Sequence, residues 1–124
     1  KNWDTIPPVP SIDAPVTLYH AMPYGGVSPL LEPIPPHFYV DITSTVAKKR
    51  EALACHASQK EWLDASQGVD SYLDAMETSA RDLGKESGAF EYAEGWRRHL
   101  HAGFCAPDAA PLKDALGDKV RERA

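Results

Sequence analysis

Five histidines and one acid set among aromatics carry what chemistry this 124-residue sequence offers. His20 directly follows Tyr19 at the end of a run of β-branched and aromatic residues, and a loop containing Gly25-Gly26 comes after it. Ligands of open α/β sheets bind at the carboxyl ends of strands, so Tyr19 and His20 are the substrate-binding candidates, the imidazole being able to move a proton near neutrality. The competing reading of His20 is a ring hydrogen-bonded at a sheet edge. His99 and His101 lie two apart, a spacing that on a strand turns both rings to one face and suits a metal chelate. A third ligand has no place in the sequence, and surface or structural roles are the simpler reading of that pair. His56, beside Cys55, falls in the last turn of an expected helix, where the partial negative charge favours an imidazolium. His37 precedes a strand. Glu94, between Tyr92 and Trp96, reads either as an acid that holds its proton or as the ion-pair partner of Arg97 or Arg98.

Other chemistries lack local support. The sequence contains no GxGxxG, P-loop, HExxH, GxSxG or CxxC pattern, so nothing local points to dinucleotide, triphosphate, zincin or nucleophile-elbow chemistry. Cys55 and Cys105 are 50 positions apart, a separation that suggests reduced thiols in a cytoplasmic protein rather than a disulfide framework or a zinc ribbon. A net charge of −5 and a pI near 5.4 argue against a general nucleic-acid binder, which needs clustered Lys and Arg. Lys48-Lys49-Arg50 is most simply one solvated helix turn. No apolar run approaches the roughly 20 residues of a membrane-spanning helix. No secretory leader pattern follows Lys1, and the chain is expected to begin inside a longer or processed product.

The elements that would position these residues follow from proline placement and periodicity. Nine of the 11 prolines fall within residues 1–36, each fixing φ and removing an N–H, so this region is expected to be an extended arm. Within it Pro15 to Ala21 reads as one strand, broken at Pro23-Tyr-Gly-Gly26. A second strand is expected over His37 to Ile42. Thr43 or Ser44 then caps a helix to about Ser58, burying Val46, Arg50, Leu53 and Ala57 on one narrow face, with Ser58-Gln59 satisfying loose backbone groups at its end. A second helix, from about Val69 to Leu83, carries Val69, Tyr72, Leu73, Met76, Ala80 and Leu83 on one stripe and is ended by Gly84 and Gly88. From Phe90 the period becomes two, giving a further extended segment with Phe90, Tyr92, Glu94 and Trp96 on one side. In the tail, residues 105–124, Leu112, Leu116 and Val120 recur at four-residue spacing and predict a weak helix. The organisation is thus an arm over 1–36, a strand-helix-helix-strand unit over 37–104, and the tail.

Several of these segments together resemble the C-terminal part of the PIG-L/LmbE family of zinc-dependent N-acetylglucosamine-type deacetylases. The residues concerned are Val40-Asp-Ile-Thr43 entering a helix, Lys49 and Glu51-Ala-Leu53 within it, Ser58-Gln59 at its end, and Phe90-Glu-Tyr-Ala-Glu94 after the second helix. Tyr19-His-Ala21 and Lys60-Glu-Trp-Leu63 are similar to a less-studied bacterial branch. The resemblance spans roughly residues 15 to 104. It implies a Rossmann-like α/β fold, of which this chain is the C-terminal portion, and hydrolysis of an N-acetyl group from an amino sugar or related amide. It also implies a zinc ion that lowers the pKa of a bound water and polarises the amide carbonyl. The family's zinc ligands and aspartate base come from Ala-His-Pro-Asp-Asp and His-Pro-Asp-His-like motifs, and this chain contains neither. No catalytic or metal residue transfers to it, zinc is expected for the full-length fold rather than for this chain alone, and the isolated chain is expected to be inactive. Tyr19 and His20 would close over the pocket from this side.

A second function class stands beside that one. Eleven aromatic side chains and open strand edges suit a stand-alone interaction or oligomerisation module, since edges invite pairing. The partners expected are therefore an N-acetylated sugar-type small molecule and either a second copy or the upstream part of the same protein. Neither nucleic acid nor a membrane span is expected.

Overall fold

Phe38, Tyr39 and Val40 are consecutive and all buried, which a strand achieves only when both of its faces are covered. That strand, β2 (Phe38–Asp41), organises the computed structural model, which describes residues 14–56, 62, 65–66 and 71–124. β2 is flanked on one side by β3 (Ala93–Arg98) and on the other by β4 (Val120–Glu122), while β1 (Tyr19–Ala21) pairs with the far side of β3. The order is β1-β3-β2-β4 and every pairing is antiparallel. With three α-helices among the described residues, α1 (Val46–Ala54), α2 (Ser71–Ser87) and α3 (Pro111–Leu116), the fold is mixed α/β.

Each face of the sheet has its own cover. Tyr39 stands opposite Gly95 and, with Ala93, faces α2. The approach is close because Gly95 has no side chain: a Cβ there would lie 3.3 Å from Leu83 Cδ2 and 2.7 Å from Met22 Cγ. Phe38 and Val40 point the other way, Phe38 meeting the Tyr19 ring edge-on at 5.6 Å. The side of β3 that is most deeply buried is therefore its small one, Ala93 and Gly95, while Tyr92, Glu94 and Trp96 are half-buried.

Several boundaries differ from those the sequence suggests. β1 covers only Tyr19–Ala21 of the expected Pro15–Ala21 run, because ladder pairing to β3 ends at Tyr19↔Arg98; before it, single bonds such as His99 N–H to Leu18 O continue the contact. α1 starts at Val46 after Thr45, and neither Thr43 nor Ser44 is its cap: the Thr45 hydroxyl donates to Ile42 O, and Thr43 N–H donates to Asp41 Oδ1. Val46, Arg50 and Leu53, expected to be buried, are only half-buried, and α1 has no fully buried residue. α2 runs through Gly84 to Ser87 and stops at Gly88, whose φ of 64° is the left-handed conformation a helix end favours. Gly84 lies inside the helix because the Phe90–Glu91 backbone crosses directly over it.

The tail departs most. It is helical only from Pro111 to Leu116; Gly117, at φ 57° and ψ −120°, turns the chain, and Val120 becomes the first residue of β4 opposite Val40. Pairing with β2 sets Val120, half-buried, beside Val40, an apolar contact that a solvent-side helix would not give it. The tail is tied down further by Lys113 Nζ to Glu122 Oε1 at 2.9 Å, which holds the Glu122 carboxyl below its usual range. Residues 1–13 of the arm, Ala57, Ser58-Gln59, Lys60, Glu61, Leu63 and Val69 lie outside the described residues.

Candidate functional site

The two substrate-binding candidates are neighbours on β1, so their side chains leave opposite faces of the sheet. Tyr19 packs on Phe38, and its hydroxyl accepts the Leu112 N–H at 3.5 Å, in a recess shared with Arg98, Val120 and Glu122. His20 is exposed, and its Nε2 lies 2.8 Å from Nδ1 of His99. The ring centroids are 5.0 Å apart, and Phe104 meets the far side of His99 edge-on at 5.5 Å. The structure thus joins His20 to His99 and does not bring Tyr19 into that pair. β1 is an edge strand of an antiparallel sheet and His20 is its middle residue, so His20 lies neither at the carboxyl end of a strand nor in the crevice of a parallel sheet.

His99 and His101 take different partners. His101 is buried, and its Nδ1 donates to the carbonyls of Ala106 and Pro107 at 3.0 and 3.2 Å, while Nε2 is buried with no hydrogen bond. His37 Nδ1 accepts the Arg98 N–H at 3.1 Å, and Nε2 lies 3.5 Å from Arg97 Nη2. Partial desolvation, then the charges of Arg97 and Arg98, lower the His37 pKa from its usual value. Both cysteines are free: Cys55 is exposed, and Cys105 is half-buried with Thr17 Oγ1 donating to its sulfur at 3.5 Å.

A denser polar junction joins β2, α1 and β3. Thr43 Oγ1 donates to Tyr92 O at 3.5 Å and accepts the Tyr92 N–H at 3.2 Å, and Ile42 N–H donates to Tyr92 O at 3.0 Å. Lys49 Nζ reaches Glu94 Oε1 at 2.6 Å. Glu94 therefore pairs with Lys49 rather than with Arg97 or Arg98: Arg97 projects from the other face, and Arg98 stacks over the Phe38 ring at 6.0 Å. Arg81 closes the junction by donating to Tyr92 OH at 2.9 Å and to Glu77 Oε1 at 3.0 Å. Arg50 ties α1 to α2 through Asp74 and Glu77 at 3.1 and 3.5 Å. This arrangement fixes elements to one another.

A second concavity lies under the end of α2. Tyr39, Glu86, Ser87, Arg121 and Arg123 line it, with the Tyr39 hydroxyl buried and without a hydrogen bond among the described residues. Burial and the nearby Glu86 carboxylate push the Tyr39 phenol up to about 12, against the opposing pull of Arg123.

A catalytic zinc site takes three protein ligands and an open position. Among the described residues no group of three or more His, Cys, Asp or Glu is placed to hold a metal, so the donors of those residues do not form such a centre. The residues that sequence reasoning missed are His99 as the partner of His20 and Lys49 as the partner of Glu94. Either pairing requires knowing how β1 and β2 register against β3, and local periodicity does not carry that. No protein-family model, no curated protein and no solved structure matches this chain. No helix among the described residues is long and apolar enough to cross a membrane.

Proposed function

We propose that this chain is the C-terminal portion of a PIG-L/LmbE-type zinc-dependent deacetylase, scaffolding a hydrolase that removes an N-acetyl group from an amino sugar or related amide. One observation carries the reading: the separate segments of the resemblance pack on one another. Thr43 of the first segment bonds to Tyr92 of the last, and Lys49 of the helix segment pairs with Glu94 of that same last segment. On this reading the zinc ligands and the general base belong to the upstream part of the protein, the antiparallel strands form the edge of a larger Rossmann-like sheet, and the enzyme works in the cytoplasm. His20, exposed on β1, is the residue of this chain that reaches the substrate, and Tyr19 steadies it from below through Phe38 and Leu112.

The deciding experiment is to read the coding sequence upstream of Lys1 and to assay deacetylation of N-acetylglucosamine derivatives by the longest product. A histidine- and aspartate-rich domain upstream, with zinc-dependent acetate release that this chain alone lacks, is expected. An initiation codon at the start of this chain with no such domain would overturn the reading. In the active product His20→Ala should lower turnover without unfolding the protein; unchanged kinetics would return His20 to a structural role.

A specific observation also favours the interaction module. Between Val27 and Pro33, which form an isolated bridge, Leu30 and Leu31 are each 80% exposed, and Leu31 holds a left-handed φ of 63°. Ser28 Oγ accepts the Leu30 and Glu32 N–H groups, which keeps this apolar tip presented. A chain that is strictly monomeric by light scattering at high concentration would remove this second reading.

A further inference from the structure

We propose that His20 and His99 form a two-imidazole chelate for a borderline divalent cation of the Zn²⁺, Ni²⁺ or Cu²⁺ type, at the open end of the β1–β3 ladder. The inference is independent of both functional readings above, because it rests only on where the two rings lie.

The spacing is that of neighbouring ligands on one metal. His20 Nε2 and His99 Nδ1 are 2.8 Å apart. Two imidazole nitrogens bound at about 2.0–2.1 Å, between square-planar and tetrahedral angles, stand about 2.9–3.4 Å from each other. A small outward rotation of both rings replaces the shared proton by a cation, with water completing the coordination sphere. The ring that donates the hydrogen bond changes tautomer, its proton passing through solvent to the other nitrogen of the same ring, so both rings stay neutral and both facing nitrogens offer a lone pair to the metal.

The backbone organises the pair before any metal arrives. His20 stands opposite Arg97 in the ladder, so His99 is its diagonal neighbour on the same face, within reach of long side chains. His99 N–H bonds to Leu18 O at 3.0 Å, which holds the residue against β1 just beyond the end of β3. Phe104 packs edge-on against the His99 ring and restricts its rotation. The one cation facing His20 from β3 is drawn aside: Arg97 Nη2 lies 3.5 Å from His37 Nε2, towards β2.

The test is titration of the full chain carrying Cys55→Ser, which removes the exposed thiol, with Ni²⁺ alone by calorimetry and with Cu²⁺ alone by electron paramagnetic resonance. One Ni²⁺ per chain and a two-nitrogen Cu²⁺ signature are expected. His20→Ala and His99→Ala should each weaken Ni²⁺ binding roughly tenfold or more, at least the loss seen when supporting residues of metal sites are removed. His56→Ala should change nothing, and circular dichroism on each variant reports that the fold is kept. His20→Gln provides a second, larger replacement that keeps a polar side chain on the strand. Binding that survives His20→Ala undiminished, a Cu²⁺ signal without two nitrogens, or no binding at all would overturn the proposal.

Discussion

Lys49 Nζ lies 2.6 Å from Glu94 Oε1, joining α1 to the start of β3 across 45 residues of sequence. Both side chains are partly sheltered, 39% and 30% exposed, so the pair is screened less than an open surface bridge. A double-mutant cycle with Lys49→Met and Glu94→Gln should give a coupling of about 0.5–1 kcal/mol in urea denaturation, the upper part of the range for exposed pairs. Coupling indistinguishable from zero would show that the Lys49–Glu94 pair contributes nothing to holding α1 against the sheet.

Gly84 gives a prediction whose sign depends on tertiary structure. Replacing glycine by alanine inside a helix ordinarily stabilises by about 1 kcal/mol. Here the new Cβ would sit 2.9 Å from Phe90 O and closer still to the Glu91 carbonyl, both backbone groups that cannot swing away. Gly84→Ala is therefore expected to destabilise, by about 1–3 kcal/mol as for other overpacked sites. Thermal melting checks it; a raised midpoint would mean that the loop after α2 sits farther from the helix.

That same glycine shows what the sequence could and could not convey. The stripe of Leu73, Met76, Ala80 and Leu83 made α2 legible because helical burial repeats locally, yet Gly84 read as a terminator since glycine has the same letter at a helix end and under a crossing loop. β2 was legible from its β-branched and aromatic run. β4 was not: Val120 fits the four-residue spacing of Leu112 and Leu116, and only its pairing with Val40, 80 residues earlier, makes it a strand. The candidate site divides in the same way. His20 drew notice by its type and place, whereas His99 became its partner only through the register of β1 on β3.

His37 makes part of the stability pH-dependent. Its pKa in the folded protein is lowered, by partial desolvation first and then by Arg97 and Arg98. Between that lowered value and the ordinary unfolded value near 6.5, the unfolded chain binds more protons than the folded one, so stability rises with pH. The contribution is complete above the unfolded value and is lost as pH falls below it towards the folded one. His37→Asn keeps a polar side chain while removing the titration, and the urea midpoint of this variant should fall less steeply than that of the parent between about pH 6.5 and pH 5. Parallel pH profiles would show that His37 titrates alike in both states.

Tyr39 tests whether its hydroxyl does anything for the fold. The ring is 2% exposed and fills the sheet face under α2, but its oxygen is buried with no hydrogen bond among the described residues. A buried hydroxyl without a partner carries a desolvation penalty of about 1–3 kcal/mol, so removing the oxygen and keeping the ring should not destabilise. Tyr39→Phe is expected to leave the urea midpoint unchanged or raise it by up to about 1 kcal/mol in stability, whereas Tyr39→Ala should cost about 3–5 kcal/mol through the cavity it leaves. The phenol, pushed up to about 12, stays protonated throughout the neutral range and gives no pH dependence that would confuse the comparison. A clear loss of stability in Tyr39→Phe would mean that the hydroxyl does find a partner, and the nearby carboxylate of Glu86 would then be the group to replace next.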